Sequence, residues 1–133
     1  MQTFLPYADF QKTAETLDYK RLGKQRVEAF QILQILEGET FSKAWINHPA
    51  VKMWKGYEDA LQDYLRIIIL EWIKRGYKNN MIIPTKLENY NVPIWLGDEK
   101  FHSSHRSNLK RKNPEYYGHF SEPNNLSYIW PVN

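Results

Sequence analysis

The apolar residues of this chain recur every three or four positions over two long segments, and this spacing constrains the fold more than any other feature. The first segment runs from Phe10 to Ile35. Asp9 is a suitable N-cap for it and Gly38 a suitable C-terminal stop. Gly23 lies inside this segment and is the expected position of a break or a bend. The spacing therefore predicts helix, with one interruption.

The second segment predicts a longer helix from Pro49 to Arg75, because proline is favoured at a first helical position and Gly76 follows as a stop. A third helix is predicted to begin after Asp98 and to end at about Lys112, two residues before Pro114. It has few apolar residues, so we expect it at the surface with one narrow stripe buried.

The remaining residues favour loops that aromatic side chains attach to the core. Residues 79–97 contain prolines and the apolar run Ile94-Trp95-Leu96, and residues 115–133 contain five aromatic rings among prolines and asparagines. The predicted fold is all-α: a compact single domain over residues 1–133, with three main helices and long aromatic-pinned loops. No apolar run has the length of a membrane span, and the start does not resemble a secretory signal. We expect a cytoplasmic monomer that does not enter membranes.

Composition narrows the possible chemistry. The chain has no cysteine, which excludes a disulfide scaffold, a thiolate metal site and a cysteine nucleophile. The formal net charge is +3, which favours a polyanionic partner. Basic residues form one cluster between Lys20 and Arg26 and another between Lys100 and Lys112. Each cluster alone would also fit an ordinary solvated face.

The motifs of serine hydrolases and of nucleotide-binding enzymes are absent from the sequence. There is no GxSxG elbow and no glycine-rich phosphate-binding motif. His102 and His105 are three residues apart, a spacing that a metal site tolerates, but no HExxH pattern completes it. A small metal-assisted hydrolase built on these histidines is one hypothesis; hydrogen-bonding surface histidines are the simpler interpretation. We expect no cofactor and no metal.

The basic clusters suit phosphate oxygens, because they present several cationic donors close together. Tyr116 and Tyr117 come shortly after the second cluster, and two adjacent rings cannot easily both point inward, so one of them is a candidate to contact nucleic acid. His48 precedes a helix N-terminus, which favours anions, although it could equally be a capping residue. The predicted DNA-binding residues are Arg21, Lys24, Arg26, His48, His102, His105, Arg106, Lys110, Arg111 and Tyr117.

Several short motifs, taken in order, resemble a known family. They are Arg21-Leu22-Gly23-Lys24-Gln25-Arg26-Val27, Asn47-His48-Pro49-Ala50-Val51, Lys74-Arg75-Gly76-Tyr77, His102-Ser103-Ser104-His105-Arg106 and Asn113-Pro114-Glu115-Tyr116-Tyr117. Together they look like the small pyrimidine-dimer DNA glycosylases of the phage endonuclease V type. The chain is most similar to a bacterial and phage branch that opens with a similar Thr-Phe-Leu-Pro-Tyr.

The resemblance implies an all-α DNA repair enzyme that acts on damaged or modified pyrimidines in double-stranded DNA. In that family the chain's α-amino group attacks C1′ of the damaged nucleotide, forms an imine and permits β-elimination at the 3′ phosphate, so the enzyme is both glycosylase and abasic-site lyase. An α-amine has a pKa of about 7.7–8.0, so a useful fraction is neutral near pH 7. The alternative is a noncatalytic DNA- or RNA-binding module of the same fold.

The sequence departs from the family pattern at both catalytic positions. Well-studied members expose a small residue after methionine removal, whereas Gln2 predicts that Met1 stays and supplies the nucleophilic amine. The family's catalytic glutamate, aligned on Arg26-Val27, falls on Gly23. Asp18 and Glu28 are then the two carboxylates open for this role, and Asp18 is preferred.

Overall fold

The chain forms five helices and no strand in the part that a computed structural model describes, residues 1–38 and 45–132. The helices are α1 (Phe10–Thr16), α2 (Tyr19–Leu36), α3 (Pro49–Lys52), α4 (Glu58–Lys74) and α5 (Glu99–Lys112). The all-α prediction is confirmed, with α2, α4 and α5 as the main helices. None of these helices has the length and apolar character needed to cross a bilayer. Asn133, at the end of the predicted tail, lies outside the described residues.

The first predicted helix is two helices, and the break lies at Leu17 and Asp18 rather than at Gly23. Both residues adopt extended backbone, with ψ angles of 138° and 162°. Leu17 is fully buried at this corner. Gly23 instead lies inside α2, where it leaves room for a ring from α4. A Cβ atom at residue 23 would lie 3.0 Å from the Trp72 ring, so the glycine permits close approach of the two helices.

Gly23→Val is expected to lower the free energy of unfolding by about 1–3 kcal/mol, because the added side chain would overlap Trp72. Urea unfolding followed by tryptophan fluorescence measures this loss. Lys20→Val is the matched control, since Lys20 is exposed on the same helix. There the change to a β-branched residue has only a small cost in helix propensity, less than about 1 kcal/mol. Equal losses in the two variants would contradict the close-packing role of Gly23.

The second predicted helix is also divided, into α3 and α4. Between them Gly56 has a φ of +87°, a left-handed conformation that favours glycine and interrupts the helix. The turn directs Trp54 into the core, where its ring is fully buried and its indole N–H donates to Thr3 Oγ1 at 3.2 Å. Helix α4 packs mainly against α2 and α1, and these three helices form the centre of the core.

Helix α5 is not the surface helix that its polar sequence predicts. From Phe101 to Leu109 every residue except Ser103 is buried. The chain start covers one side of α5 and the tail covers another, and both segments lack regular structure. The Ser104 hydroxyl accepts from the Ile129 backbone N–H at 3.2 Å, and the Asn108 amide donates to the Leu126 carbonyl at 3.0 Å. Polar side chains are buried on α5 because they satisfy the backbone groups of these segments.

Aromatic rings fix the loop and the tail, as predicted. In the loop, Trp95 is buried, and its indole N–H donates to the Met53 carbonyl at 2.9 Å. Its neighbour Ile94 is 88% exposed, while Leu96 is partly buried against the core, so Trp95 is the main anchor of that run. In the tail, Tyr117 and Phe120 are buried and stack with their ring centroids 5.6 Å apart.

Candidate active site

An open cleft of about 1060 Å³ lies where the first residues of the chain meet α2 and the end of α5. Its walls carry two carboxylates, Asp18 and Glu28, beside Met1. The cationic side chains of the walls are Lys20, Arg21, Lys24 and Lys112. Aromatic side chains complete the lining, namely Phe4, Tyr19, Tyr116 and Tyr128. Cations in excess of carboxylates favour an anionic ligand, and the rings offer faces on which a base could stack.

The buried side-chain amide of Gln25 holds the chain start against α2. Its Nε2 donates to the Gln2 carbonyl at 2.8 Å, and its Oε1 accepts from the Phe4 backbone N–H at 3.0 Å. The Tyr64 hydroxyl donates to the same Oε1 at 2.5 Å. These bonds fix the backbone next to Met1, which is half-buried in the cleft wall.

Glu28 is electrostatically coupled to the chain's amino group. Gln25 Nε2 also donates to Glu28 Oε2 at 3.2 Å, so one amide bridges the chain start and this carboxylate. Burial raises the pKa of Glu28, while the positive charges of the Met1 amine and Lys24 and a hydrogen bond from the Gln2 backbone oppose that rise. A partly desolvated carboxylate near an amine is an arrangement that suits proton transfer.

Asp18 lies in the same cleft, but both of its oxygens have partners within the chain. The Tyr117 hydroxyl donates to Oδ1 at 2.5 Å and accepts from the Asp18 backbone N–H at 2.9 Å. Arg21 Nη1 donates to Oδ2 at 3.2 Å. Burial, followed by the hydrogen bond to Asp18, raises the pKa of the Tyr117 hydroxyl, which keeps it protonated as the donor. Asp18 thereby joins the start of α2 to the tail.

His48 is the N-cap of α3, and its ring lies close enough to the Met1 amine for the positive charge of the amine to affect its pKa. Its Nδ1 accepts from the Ala50 backbone N–H at 3.0 Å, which places the ring proton of the neutral form on Nε2. Burial, and then the charge of the Met1 amine, lower the pKa of His48. Trp45 and Trp130 contact its ring. His48 thus combines the capping role with a position near the chain start.

His102 and His105 lie inside the fold on either side of the Leu5 peptide unit. His102 Nδ1 lies 2.7 Å from the Leu5 carbonyl and acts as donor, because its Nε2 accepts from the Gly97 backbone N–H at 2.9 Å. His105 Nδ1 accepts from the Leu5 backbone N–H at 3.0 Å. Burial lowers the pKa of both rings, that of His105 to about 3. The predicted surface position of these rings is therefore wrong: they support the chain start.

These contacts also bear on the metal-site hypothesis, since they occupy both ring nitrogens of His102 and one of His105. No group of three histidine, aspartate or glutamate side chains in residues 1–38 and 45–132 is placed to hold a metal ion.

The basic side chains of α5 mostly bind the chain's own backbone. Arg106 is 9% exposed; it donates to the Pro6 carbonyl at 2.7 Å and to Glu122 at 2.8 Å, and it also pairs with Glu99. Lys110 Nζ donates to the carbonyls of Phe120 and Glu122 at 2.9 and 3.0 Å. These donors hold the chain start and the tail against α5.

Three other predicted DNA-binding residues also lie outside the cleft wall. Arg111 is exposed and contacts the tail carbonyls of Asn124 and Leu126 at 3.4 Å. Tyr117 is fully buried beside Asp18, whereas its neighbour Tyr116 is 46% exposed and lines the cleft. Arg26 packs on the Trp72 ring instead and does not line the cleft.

The cleft therefore brings together five of the predicted site residues: Met1, Asp18, Arg21, Lys24 and Glu28. Sequence reasoning missed Lys20, Lys112 and Tyr128 as cleft residues. Lys20 and Lys24 are one helical turn apart, which would have placed them on one face. Nothing in the sequence indicated that Lys112 and Tyr128, from the second half, would reach the same cleft.

Two comparisons, with curated proteins and with solved structures, give no match. The profile of one protein family, described as pyrimidine dimer DNA glycosylase, matches residues 1–85. The matched part contains α1 to α4 with Met1 and Glu28, while α5 and the tail supply the opposite wall of the cleft. A match over this much of the 133 residues shows the family: the chain belongs to the pyrimidine dimer DNA glycosylases.

Proposed function

We propose that this protein is a DNA glycosylase with abasic-site lyase activity, whose nucleophile is the α-amine of Met1 and whose catalytic carboxylate is Glu28. The observation that carries the proposal is the coupling of these two groups in one cationic cleft: the amine charge acts on the pKa of Glu28, and one amide, Gln25, holds both chain segments. Asp18 is the weaker choice because Tyr117 and Arg21 already occupy its oxygens.

In the first step the neutral Met1 amine attacks C1′ of the damaged nucleotide. A C1′–N bond to the protein forms, the glycosidic bond breaks, and the base leaves with the bonding electrons and takes a proton from water. Glu28 accepts a proton from the attacking nitrogen and delivers it to the ring oxygen as the sugar opens to the iminium. A carboxylate raised in pKa by burial suits this transfer near neutral pH.

In the second step Glu28 accepts a proton from C2′, and the C3′–O bond breaks as the 3′ phosphate leaves with the electron pair. Water then hydrolyses the imine and releases the amine. The cations of the cleft would bind the phosphates that flank the lesion, chiefly Lys20, Lys24 and Lys112. The exposed face of Tyr116 would contact a displaced base.

Borohydride reduction tests the imine. The protein mixed with duplex DNA that carries an abasic site, or a thymine dimer, is expected to give a covalent adduct after reduction, with Met1 as the modified residue in peptide mass mapping. A protein whose α-amine has been acetylated is the control and should give none. An adduct on Lys24 or another cleft lysine would contradict the assignment of the nucleophile. Salt-sensitive duplex binding without any adduct would support the noncatalytic module instead.

A further inference from the structure

At the edge of the cleft, the rings of Tyr19, Tyr77 and Trp72 and the guanidinium of Arg26 form a stack. We call this stack the aromatic ladder. Tyr19 and Tyr77 lie 6.1 Å apart between ring centroids with planes 28° apart, and Tyr77 and Trp72 lie 4.4 Å apart with planes 29° apart. The Arg26 guanidinium closes the inner end, 4.5 Å from the Trp72 ring. The planes of neighbouring rings in this stack are thus nearly parallel.

The inner end of the ladder is fixed by its surroundings. Trp72 rests against Gly23 of α2, and its indole N–H donates to the Lys78 carbonyl at 2.9 Å. Arg26 Nη1 donates to Asn79 Oδ1 at 2.7 Å. These contacts set the orientation of the Trp72 ring and the guanidinium before any ligand arrives, which lowers the ordering cost of binding.

The outer end of the ladder is open to solvent and continuous with the cleft. Tyr19 is 53% exposed and Tyr77 is 39% exposed, although both have large apolar faces. Tyr19 also lines the cleft, so the ladder begins where the proposed active site ends. Burial of an aromatic side chain is favourable, so rings that served only to pack α2 against α4 would be expected to be less exposed than these two.

Basic side chains outnumber acidic ones around the ladder. The two segments that supply it, residues 19–27 and 72–79, contain seven basic residues and no acidic residue. The acidic residues that flank these segments along the chain are Asp18, Glu28 and Glu71, of which Asp18 and Glu71 are paired with Arg21 and Arg75. Lys20, Lys24, Lys74 and Lys78 are exposed, and none of them forms an ion pair within residues 1–38 and 45–132. Rings interleaved with free cations match a chain of unpaired bases joined by phosphates, and not an apolar or a basic partner.

We propose that the aromatic ladder is a second binding site, for the unpaired bases of a single DNA strand that continues from the cleft. A base stacks on the open face of Tyr19, the outermost ring, while the lysines contact the phosphates on either side. Stacking on a ring face tolerates every base, so the site should show little sequence preference. This site requires neither the Met1 amine nor Glu28, so it goes beyond the proposed chemistry.

Tyr77→Ala tests the ladder, because Tyr77 lies in it but outside the cleft wall. The probe is a fluorescein-labelled ten-nucleotide oligothymidylate, with a ten-base-pair duplex as the reference ligand, both followed by fluorescence anisotropy at fixed salt. We expect the Kd for the single strand to rise about tenfold, because Tyr19 loses the ring that orients it for stacking on a base, and the Kd for the duplex to change less than about threefold.

The controls separate stacking from folding and from loss of exposed apolar surface. Tyr77→Phe keeps the ring and should bind the single strand as the parent does; Ile94→Ala removes an exposed side chain elsewhere and should have no effect. Equal thermal midpoints show that Tyr77→Ala is folded. The proposal is overturned by parent protein that fails to bind the single strand, by Tyr77→Ala binding unchanged, or by equal losses for both ligands.

A second measurement needs no variant. An oligonucleotide carrying 5-bromodeoxyuridine, irradiated in complex with the parent protein, should crosslink to peptides that contain Tyr19, Tyr77 or Trp72. Crosslinks confined to other peptides would overturn the proposal. Protein with an acetylated α-amine should still bind the single strand, so a failure of the imine mechanism and a failure of the ladder give different results.

Discussion

Glu28→Gln is expected to slow borohydride-trapped adduct formation and strand cleavage by about 10²–10⁴-fold, the usual contribution of a positioned acid–base group. Glutamine keeps the size of the side chain and can still hydrogen-bond with Gln25 and the Gln2 backbone, but it cannot accept the proton of the attacking amine or that of C2′. Affinity for duplex DNA should not fall, because the variant removes a negative charge from a cleft that binds phosphates. Single-turnover kinetics on an abasic-site duplex measure the chemical steps separately from binding.

Asp18→Asn is the matched control, since it makes the same change in the other carboxylate of the cleft. It should change the single-turnover rate by less than about threefold and should lower the thermal midpoint instead, because Arg21 loses its partner beside the buried Tyr117 contact. A large rate loss for Asp18→Asn together with a normal rate for Glu28→Gln would reverse the two assignments and restore the preference drawn from sequence alone.

The helices of the first half could be predicted from periodicity, but their ends could not. Each break depends on contacts that a local pattern does not contain. Asp18 begins α2 beside the Tyr117 hydroxyl, 99 residues away along the chain. Gly23 appears to a local analysis as a helix breaker, yet it is the Trp72 ring of another helix that requires it. Sequence spacing identifies the apolar faces, while tertiary contacts determine where each helix stops.

The candidate site was predictable to the extent that it lies on α2. Lys20, Arg21 and Lys24 share one helix, so their grouping follows from helical geometry. The position of Glu28 beside the chain start does not, because it depends on a buried amide, Gln25, that nothing in the pattern distinguishes from a surface residue.

Helix α5 is the element for which the sequence prediction fails. The polar pattern predicts that its histidines and arginine are surface donors for phosphate. The prediction assumed that a polar helix faces water. Here the donors and acceptors of α5 bind backbone groups of the chain start and the tail, which have no helix or strand partners of their own. Residue types alone cannot distinguish a ligand-binding donor from one that supports an irregular segment, since both need the same hydrogen-bonding atoms.

The protein is expected to lose stability steeply as the pH falls from about 6.5 to 4.5, because His105 is buried in its neutral form. Its pKa is about 3 in the folded chain, against about 6.5 for a free histidine. Below pH 6.5 this histidine binds a proton in the unfolded chain but stays neutral in the folded chain. The contribution of His105 to the free energy of unfolding is therefore complete above pH 6.5 and is lost as the pH falls toward 3. The loss should reach about 1.4 kcal/mol per pH unit.

Other titratable groups also contribute to the dependence of stability on pH. The pKa values of His102 and His48 are also lowered, so these rings add to the loss in the same direction. Glu122 has a lowered pKa as well, through Arg106 and Ser103, but its contribution is lost only as the pH falls below the usual carboxyl value of about 4.5. Glu28 acts in the opposite direction, because its raised pKa favours the folded chain as the pH falls. The contribution of His105 is therefore the difference between the parent protein and a His105 variant in urea unfolding at pH 7, 6 and 5.

His119→Gln is the control, because His119 is exposed and its removal should leave the slope of stability against pH unchanged. His105→Gln should reduce that slope by about 1.4 kcal/mol per pH unit, since the amide oxygen can accept from the Leu5 N–H but does not titrate. If that variant does not fold, the ring resonances of the parent protein give the answer by NMR. A His105 ring that titrates near pH 6.5, or a urea midpoint that stays constant from pH 6.5 to 5, would show that the Leu5 contact does not hold His105 neutral and that the chain start is free to leave α5.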